Sequence, residues 1–352
     1  MYSFAVSVIN LFSAPFLNKE IPFDTKDTVS VLIPARNEEK NIRSCLESIR
    51  SQTYSNLEIL VYDDSSEDRT YEIVSEISMN DKRVHALKGI ALPENWLGKN
   101  HACWMLSKNA AGKYFLFIDS DVILEKDAVA SAVSAFRSND SDLLSVFPKQ
   151  LIVSNGENAV VPFMNWLLLS FLPVKLVSSD RFKSFAGANG QFILWNKESY
   201  ESSGGHSAVK SEIVEDIEIA RYLKKKGYRI VLLMSSGLVS CRMYNNFKEA
   251  VSGFSKNIFP ASGMPAFFFI MNVILMVISN LAPFILMFFS GYFLVIALMI
   301  ILQRMVVSHI SSQNMIMNVL LHPVQMLMLL WISIRSVYQT KNRKSVWKGR
   351  KI

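Results

Sequence analysis

Three apolar runs constrain this chain more than any other feature. They are VSVLIPAR from Val29, LEILVYDD from Leu57 and YFLFIDSD from Tyr114, and each closes abruptly on polar or charged residues. Short runs of β-branched and aromatic residues bounded in this way read as buried strands. Helical patterns separate them. Ile42, Cys45, Leu46 and Ile49 recur at helical spacing within 37–52, with Asn37 as the expected N-cap. Tyr71, Val74 and Ile77 mark a second helix, RVHALKG a further short strand, and HACWMLSKNAAG a third helix. Strand alternating with helix at this spacing predicts parallel βαβ units, hence an α/β doubly wound, mostly parallel sheet with helices on both faces. Such sheets bind ligands beyond the carboxyl ends of their strands. The loops after Ile33, Val61 and Ile118 fall on that edge and carry acids.

The stretch FIDSDV (117–122) is the most pointed of these loops. Residues two apart in a strand face the same side, so Asp119 and Asp121 are expected to converge. Two adjacent carboxylates repel unless a cation lies beside them. Mg2+ or Mn2+ suits hard oxygen ligands and keeps open positions for phosphate oxygens. A solvated loop at the start of the following helix, EKDAVASAVSAF, is the plainer reading of the same acids.

Composition divides the chain. Residues 25–250 read as an ordinary mixed domain, whereas Arg304 is the only Asp, Glu, Lys or Arg in 264–334. The stretch 266–302 has no charge and exceeds the roughly 20 residues of one span. Ser290-Gly291 marks an expected hairpin tip, and 315–334 is a third candidate span. A transmembrane helical region over 261–340 is therefore expected to follow a domain over 25–260. Residues 1–24 form an apolar segment, either an interfacial anchor or a short span. Stretch 160–177 is either a membrane-surface helix or a core helix. The tail from 341 holds six basic residues by 351, which places it in the cytoplasm. Three spans would then put the domain and the tail on opposite sides. The tail's cations could also serve nucleic acid, but no nucleic-acid-binding pattern accompanies them, so no nucleic-acid partner is expected. Cys45, Cys103 and Cys241 lack metal or disulfide spacing and read as reduced thiols.

In order, VSVLIPARNEEKNI, LEILVYDDSSEDRT and FIDSDV resemble the inverting family 2 glycosyltransferases of GT-A fold over roughly 28–250. LPENWLGKNHAC, GQFILWNKESYESSGGH, the RMY at 242–244 and VWKGRK narrow the likeness. Together they resemble its membrane-attached branch, the carotenoid glycosyltransferases. The resemblance implies that Pro34, Ala35 and Glu38 lie at the nucleotide end of a donor site. It implies that Asp63 or Asp64 meets the uracil edge, that Lys99 meets the diphosphate, that Asp119 faces ribose and metal, and that Asp121 binds the metal. In IVEDIEIA, the pair Glu215-Asp216 matches the family's ED motif, and Asp216 takes the role of base. Acids at a helix start also simply suit the helix dipole. Gly190, Gln191, His206 and Glu215 are assigned to the acceptor side.

The processive QxxRW pattern has no counterpart in VSGFSKN (251–257). Transfer of a single hexose is therefore expected, from a nucleotide sugar, UDP-linked by the resemblance, to a lipophilic acceptor such as an isoprenoid lipid. A polyprenyl phosphate, a glycerolipid or sphingolipid, and a non-catalytic scaffold are the alternatives. The expected place is the cell membrane, multi-pass, with the catalytic domain facing the cytoplasm.

Overall fold

The structure, a computed structural model, describes residues 1–20, 27–342, 346–348 and 350–351. Part of the basic tail (343–345, 349 and 352) and residues 21–26 of the N-terminal segment lie outside the described residues. The chain forms two compact units, one of residues 15–149 and 175–241, the other of 1–14, 150–174 and 242–352. Segments 150–174 and 242–260, expected within the 25–260 domain, belong to the second of these.

The strands in chain order are β1 (Phe16–Leu17), β2 (Val29–Ala35), β3 (Leu57–Asp63), β4 (Val84–Lys88), β5 (Tyr114–Ile118), β6 (Val122–Leu124), β7 (Leu143–Phe147), β8 (Lys149–Gln150), β9 (Phe192–Asn196), β10 (Ile230–Ser235) and β11 (Val239–Cys241). The first unit is built on an eight-stranded sheet, in the order β1-β10-β7-β9-β5-β2-β3-β4. The pairs β2·β3, β2·β5 and β3·β4 are parallel, as the alternating pattern requires. Strand β9 departs from it, lying antiparallel between β5 and β7 with Phe192 opposite Ile118. All five residues of β5 are buried. Burial of each such side chain is worth about 1.5–3 kcal/mol, so this strand is a rigid base for whatever its end carries.

Helices Ile42–Arg50, Thr70–Asn80, Gly98–Asn109 and Glu215–Lys226 connect these strands. The helix expected from Asn37 starts only at Ile42, with Asn41 before it. Asn37 itself adopts a left-handed φ of 53°, and its side-chain oxygen accepts a bond from the Glu67 amide. Asn tolerates that conformation better than most residues, so Asn37 makes a turn between two loops and not a cap. Glu215–Lys226 has three acids in its first turn and three lysines in its last, both favourable to the helix dipole. Gly227, at φ 87°, ends it.

The second unit is helical. Ala266–Leu286 and Gly291–Ile310 have 21 and 20 residues and mean hydropathies of 2.2 and 2.1, long and apolar enough to cross a membrane. Ser290 caps the second at the expected hairpin tip, accepting from the Tyr292 amide. Large side chains such as Phe267, Leu275, Ile285, Phe288 and Phe289 are exposed on this pair. The third candidate, 315–334, breaks into Met315–Leu320 and His322–Lys341, and neither is among the helices of span length and hydropathy. Helix Tyr2–Ser13 has 12 residues, about 18 Å at 1.5 Å per residue, too short for a perpendicular span. Asn10 fastens it by donating to the Leu169 and Leu172 carbonyls, both at 2.9 Å. Stretch 160–177 supplies helix Pro162–Phe171, whose Phe163 and Trp166 are fully buried.

Candidate active site

The sheet topology brings four chain segments together. The parallel strands β2, β3 and β5 end at one edge, and antiparallel β9 begins there. Asp119, just past β5, therefore meets Gln191, just before β9, and its amide donates to the Gln191 carbonyl at 3.4 Å. Asp119 and Asp121 do not sit in the strand. They occupy the turn between β5 and β6, closed by the Val122 amide on the Asp119 carbonyl at 3.1 Å. The turn, not strand alternation, brings the two acids together.

Lys99, in the first turn of Gly98–Asn109, bridges two acids. Its Nζ lies 2.9 Å from Asp119 Oδ1 and 2.9 Å from Glu215 Oε1. Burial acts to lower the Lys99 ammonium, but these two carboxylates outweigh it and hold it well above its ordinary value. For Glu215, burial pushes upward and Lys99 prevails, leaving it below the ordinary carboxylate range. Asp216 makes no ion pair among the described residues. Its Oδ2 accepts from the Gly190 amide and its Oδ1 from the Ile217 amide, both at 2.8 Å. Burial and the neighbouring Glu215 charge push Asp216 up to about 6. Burial, then Asp119 and Glu38, push Asp121 up to about 7.

Gly190 lies among these groups. A Cβ there would stand 3.1 Å from Lys99 Nζ, 3.3 Å from Glu215 Oε1 and 3.4 Å from Asp216 Oδ2. The missing side chain leaves room for the charged cluster.

The loops after β2 and β3 carry the residues expected at the nucleotide end. Pro34 and Ala35 close β2, and the Ala35 carbonyl accepts from the Asp64 amide at 2.8 Å. Glu38 is held by its amide on Thr70 Oγ1 at 2.7 Å and accepts from Asn41. Asp63 and Asp64 are both buried. Asp63 Oδ2 accepts from the Ser66 amide at 3.3 Å, while its Oδ1 is buried with no hydrogen-bond partner. Gly89 lets its chain approach this strand end, because a Cβ would fall 2.4 Å from the Asp63 carbonyl oxygen.

Arg36 is the residue that sequence reasoning missed. It is buried, and its Nη1 donates to the Asp64 and Ser65 carbonyls at 2.5 and 2.7 Å, buckling the two loops together. In the sequence it is one basic residue in a polar loop, with nothing to set it apart from a solvated one.

Two acceptor-side assignments look different in the structure. His206 is buried, with Nδ1 2.9 Å from the Tyr200 hydroxyl and its ring 4.7 Å from Phe117. Burial holds it down at about 4, so it is a neutral packing residue of the core beneath the edge. Gln191 is also buried, and its Nε2 donates to Cys241 Sγ at 2.8 Å. Gly190 and Glu215 remain at the cluster. All three cysteines are free and buried.

The residues fit a hard divalent cation. Asp119 and Asp121 offer carboxylate oxygens only, and Asp121 Oδ1 is buried without a hydrogen-bond partner. No group of three or more His, Cys, Asp or Glu side chains is assembled for a metal among the described residues. Mg2+ and Mn2+ can be held by one or two protein carboxylates and complete their shell with phosphate oxygens and water.

A family model described as glycosyl transferase family 2 matches residues 30–202. The chain carries a family 2 glycosyltransferase domain. The match includes Pro34, Ala35, Glu38, Asp63, Asp64, Lys99 and Asp119 and stops short of Glu215 and Asp216. This glycosyltransferase is 27% identical over 264 residues to a 4,4'-diaponeurosporenoate glycosyltransferase of Staphylococcus haemolyticus strain JCSC1435, covering 74% of this chain and 69% of that one. It is 27% identical over 253 residues to the protein of the same name from Staphylococcus aureus strain USA300, covering 70% of this chain and 64% of the relative, under two thirds of its length. Among solved structures, a mannosyltransferase of Pyrobaculum calidifontis in complex with GDP-Man and Mn2+ shares the fold. Its TM-score is 0.55 at 14% identity, covering 96% of this chain and 95% of that one. The glycosyltransferase thus has the GT-A arrangement of a mixed sheet with flanking helices, followed by two apolar helices.

Proposed function

We propose that this glycosyltransferase is membrane-bound and inverting, and moves one hexose from a UDP-sugar to a lipophilic acceptor of isoprenoid type. One observation carries the reading: Lys99, Asp119, Glu215, Asp216 and Gly190 meet at the single edge where the strands of the sheet end. Asp63, with an unpartnered buried oxygen, accepts the imide N–H of the base. Asp119 and Asp121 hold Mg2+ or Mn2+, which when bound neutralises charge on the diphosphate. Lys99 supplies a second positive charge beside Asp119.

The acceptor oxygen forms a bond to the sugar's anomeric carbon from the side opposite the diphosphate. The bond from that carbon to the diphosphate oxygen breaks, and the nucleoside diphosphate leaves with the electron pair. Asp216 takes the proton of an acceptor hydroxyl. Its raised value near 6 suits a base that works close to neutrality. Glu215 stays ionised through Lys99 and sustains the push on Asp216. Where the acceptor is a carboxylic acid, it is already ionised, and Asp216 orients it without taking a proton.

The two apolar helices and the exposed Phe-rich surface around 267–289 support attachment to the bilayer. Two spans return the chain to its starting side, so the basic tail and the catalytic domain share the cytoplasm. The test is release of nucleoside diphosphate by purified protein with Mn2+ and a panel of nucleotide sugars, with and without lipid extract. Lipid-dependent release from a UDP-sugar supports the reading. Release from no donor refutes it.

A further inference from the structure

The helical unit contains a buried arginine with no ion pair among the described residues. Arg304, in Gly291–Ile310, is 1% exposed. Its Nε donates to His322 Nδ1 at 2.6 Å, and the other imidazole nitrogen faces the Asn280 carbonyl at 3.2 Å. His322 is therefore a neutral acceptor toward Arg304, protonated on Nε2. The guanidinium lies over the Trp166 ring, 5.1 Å from its centroid. Two buried donors of this stack, Arg304 Nη2 and Trp166 Nε1, have no hydrogen-bond partner.

The unit's only acids are Glu157 and Glu249. Glu157 is paired with Arg242 at 2.9 Å, and Glu249 accepts from Asn245 and Asn246 at its helix start. Among the described residues Arg304 makes no ion pair. Arginine does not shed its proton, and a buried charge without a counter-charge is strongly disfavoured. Ionisable groups inside membrane helices accordingly mark ligand paths or pair with an opposite charge.

We infer that Arg304 and Trp166 form a binding site for the oxyanion headgroup, carboxylate or phosphate, of an amphiphile. The fork of the guanidinium fits two oxygens at once, and the indole N–H supplies a further donor. Two of the surrounding helices, Ala266–Leu286 and Gly291–Ile310, are strongly apolar, so the ligand presents a hydrocarbon chain behind its charge. The inference rests on the membrane reading of these helices. The occupant is either an anionic lipid or the acid group of the sugar acceptor.

The test uses the full chain in an uncharged detergent, with dodecanoate, dodecyl phosphate and dodecanol as probes of equal chain length. Wild type is expected to bind an anionic probe at least about tenfold more tightly than dodecanol, the worth of one charge-assisted hydrogen bond. R304Q is expected to lose that preference. W166F keeps the ring, loses the N–H, and is expected to weaken anion binding severalfold. It decides the matter if R304Q does not fold. Equal binding of all three probes by wild type, or an unchanged preference in both variants, overturns the inference. Lipid extracted from protein made in a host without isoprenoid acids separates the sources. A bound phospholipid identifies the headgroup, and a protein that arrives empty yet fills with dodecanoate identifies the acceptor acid. Nucleotide binding by wild type tests the transferase reading independently, so either can fail alone.

Discussion

Asp216→Asn separates chemistry from stability because its structural consequences nearly cancel. The carboxylate accepts two amides, from Gly190 and Ile217, at 2.8 Å each. Asparagine keeps one acceptor and turns an NH2 group toward the other amide, which costs about 1–3 kcal/mol. Against this, the substitution removes a disfavoured charge. The value rises from 3.8 to about 6, and at about 1.4 kcal/mol per unit the ceiling is about 3 kcal/mol. The sign follows from the raised value. Between about pH 4 and pH 6 the native state holds a proton that the unfolded chain has lost, so stability falls as pH rises through this window. The cost is complete above about 6. At pH 8 the two effects offset, and the melting temperature is expected to move by less than about 5 °C.

Activity behaves differently. With a hydroxyl acceptor, loss of the base lowers turnover by about 10²–10⁴. Followed as nucleoside diphosphate release at saturating Mn2+, wild-type kcat/KM rises with slope one below about pH 6 and then levels. The variant lacks that limb. A D216N enzyme that keeps more than about a tenth of its rate, or retains the acid limb, refutes the role given to Asp216.

Gly190→Ala places a methyl group 3.1–3.4 Å from Lys99, Glu215 and Asp216, and turnover is expected to fall more than about tenfold, checked by the same assay. Lys99→Met strands Asp119 and Glu215 without their shared cation, at about 3 kcal/mol. Its loss of stability should be large at pH 8 and small near pH 5, where the carboxylates regain protons, as thermal melts at the two values will report. Asp121→Ala should abolish the Mn2+-dependent part of UDP binding in calorimetry, and chelation should do the same to wild type.

Much of the strand edge that carries these acids was legible because its signals are local. The β-branched runs ending at Ala35, Asp63 and Ile118 expose their own burial, and the acids that follow mark the ligand edge. Glu215 and Asp216 were legible through the matching motif, with the Lys224–Gly227 end confirming their helix. What stayed hidden depends on long-range pairing. Nothing near Phe192 announces that β9 runs antiparallel between β5 and β7, yet that insertion brings Gly190 to Asp216. Arg36 looks like any polar-loop arginine until two carbonyls from the loop after β3 close on it. His206 reads the same whether it lines a mouth or packs on Phe117. The helical unit gathers segments 1–14, 150–174 and 242–352, and hydropathy along the chain cannot reveal that assembly. Segment 315–334 is not one continuous helix because it breaks near Leu321, where Pro323 allows a helix to start afresh.

The most direct measurement follows the sugar itself. Purified protein, Mn2+ and a UDP-hexose labelled in the sugar are incubated with isoprenoid lipids, and the products are partitioned between water and organic solvent. Label is expected in the organic phase as a single hexose on one lipid, present with wild type and at least about a hundredfold weaker with D216N if the acceptor is a hydroxyl. Label that stays in water with every lipid and every UDP-sugar would contradict transfer to a lipophilic acceptor.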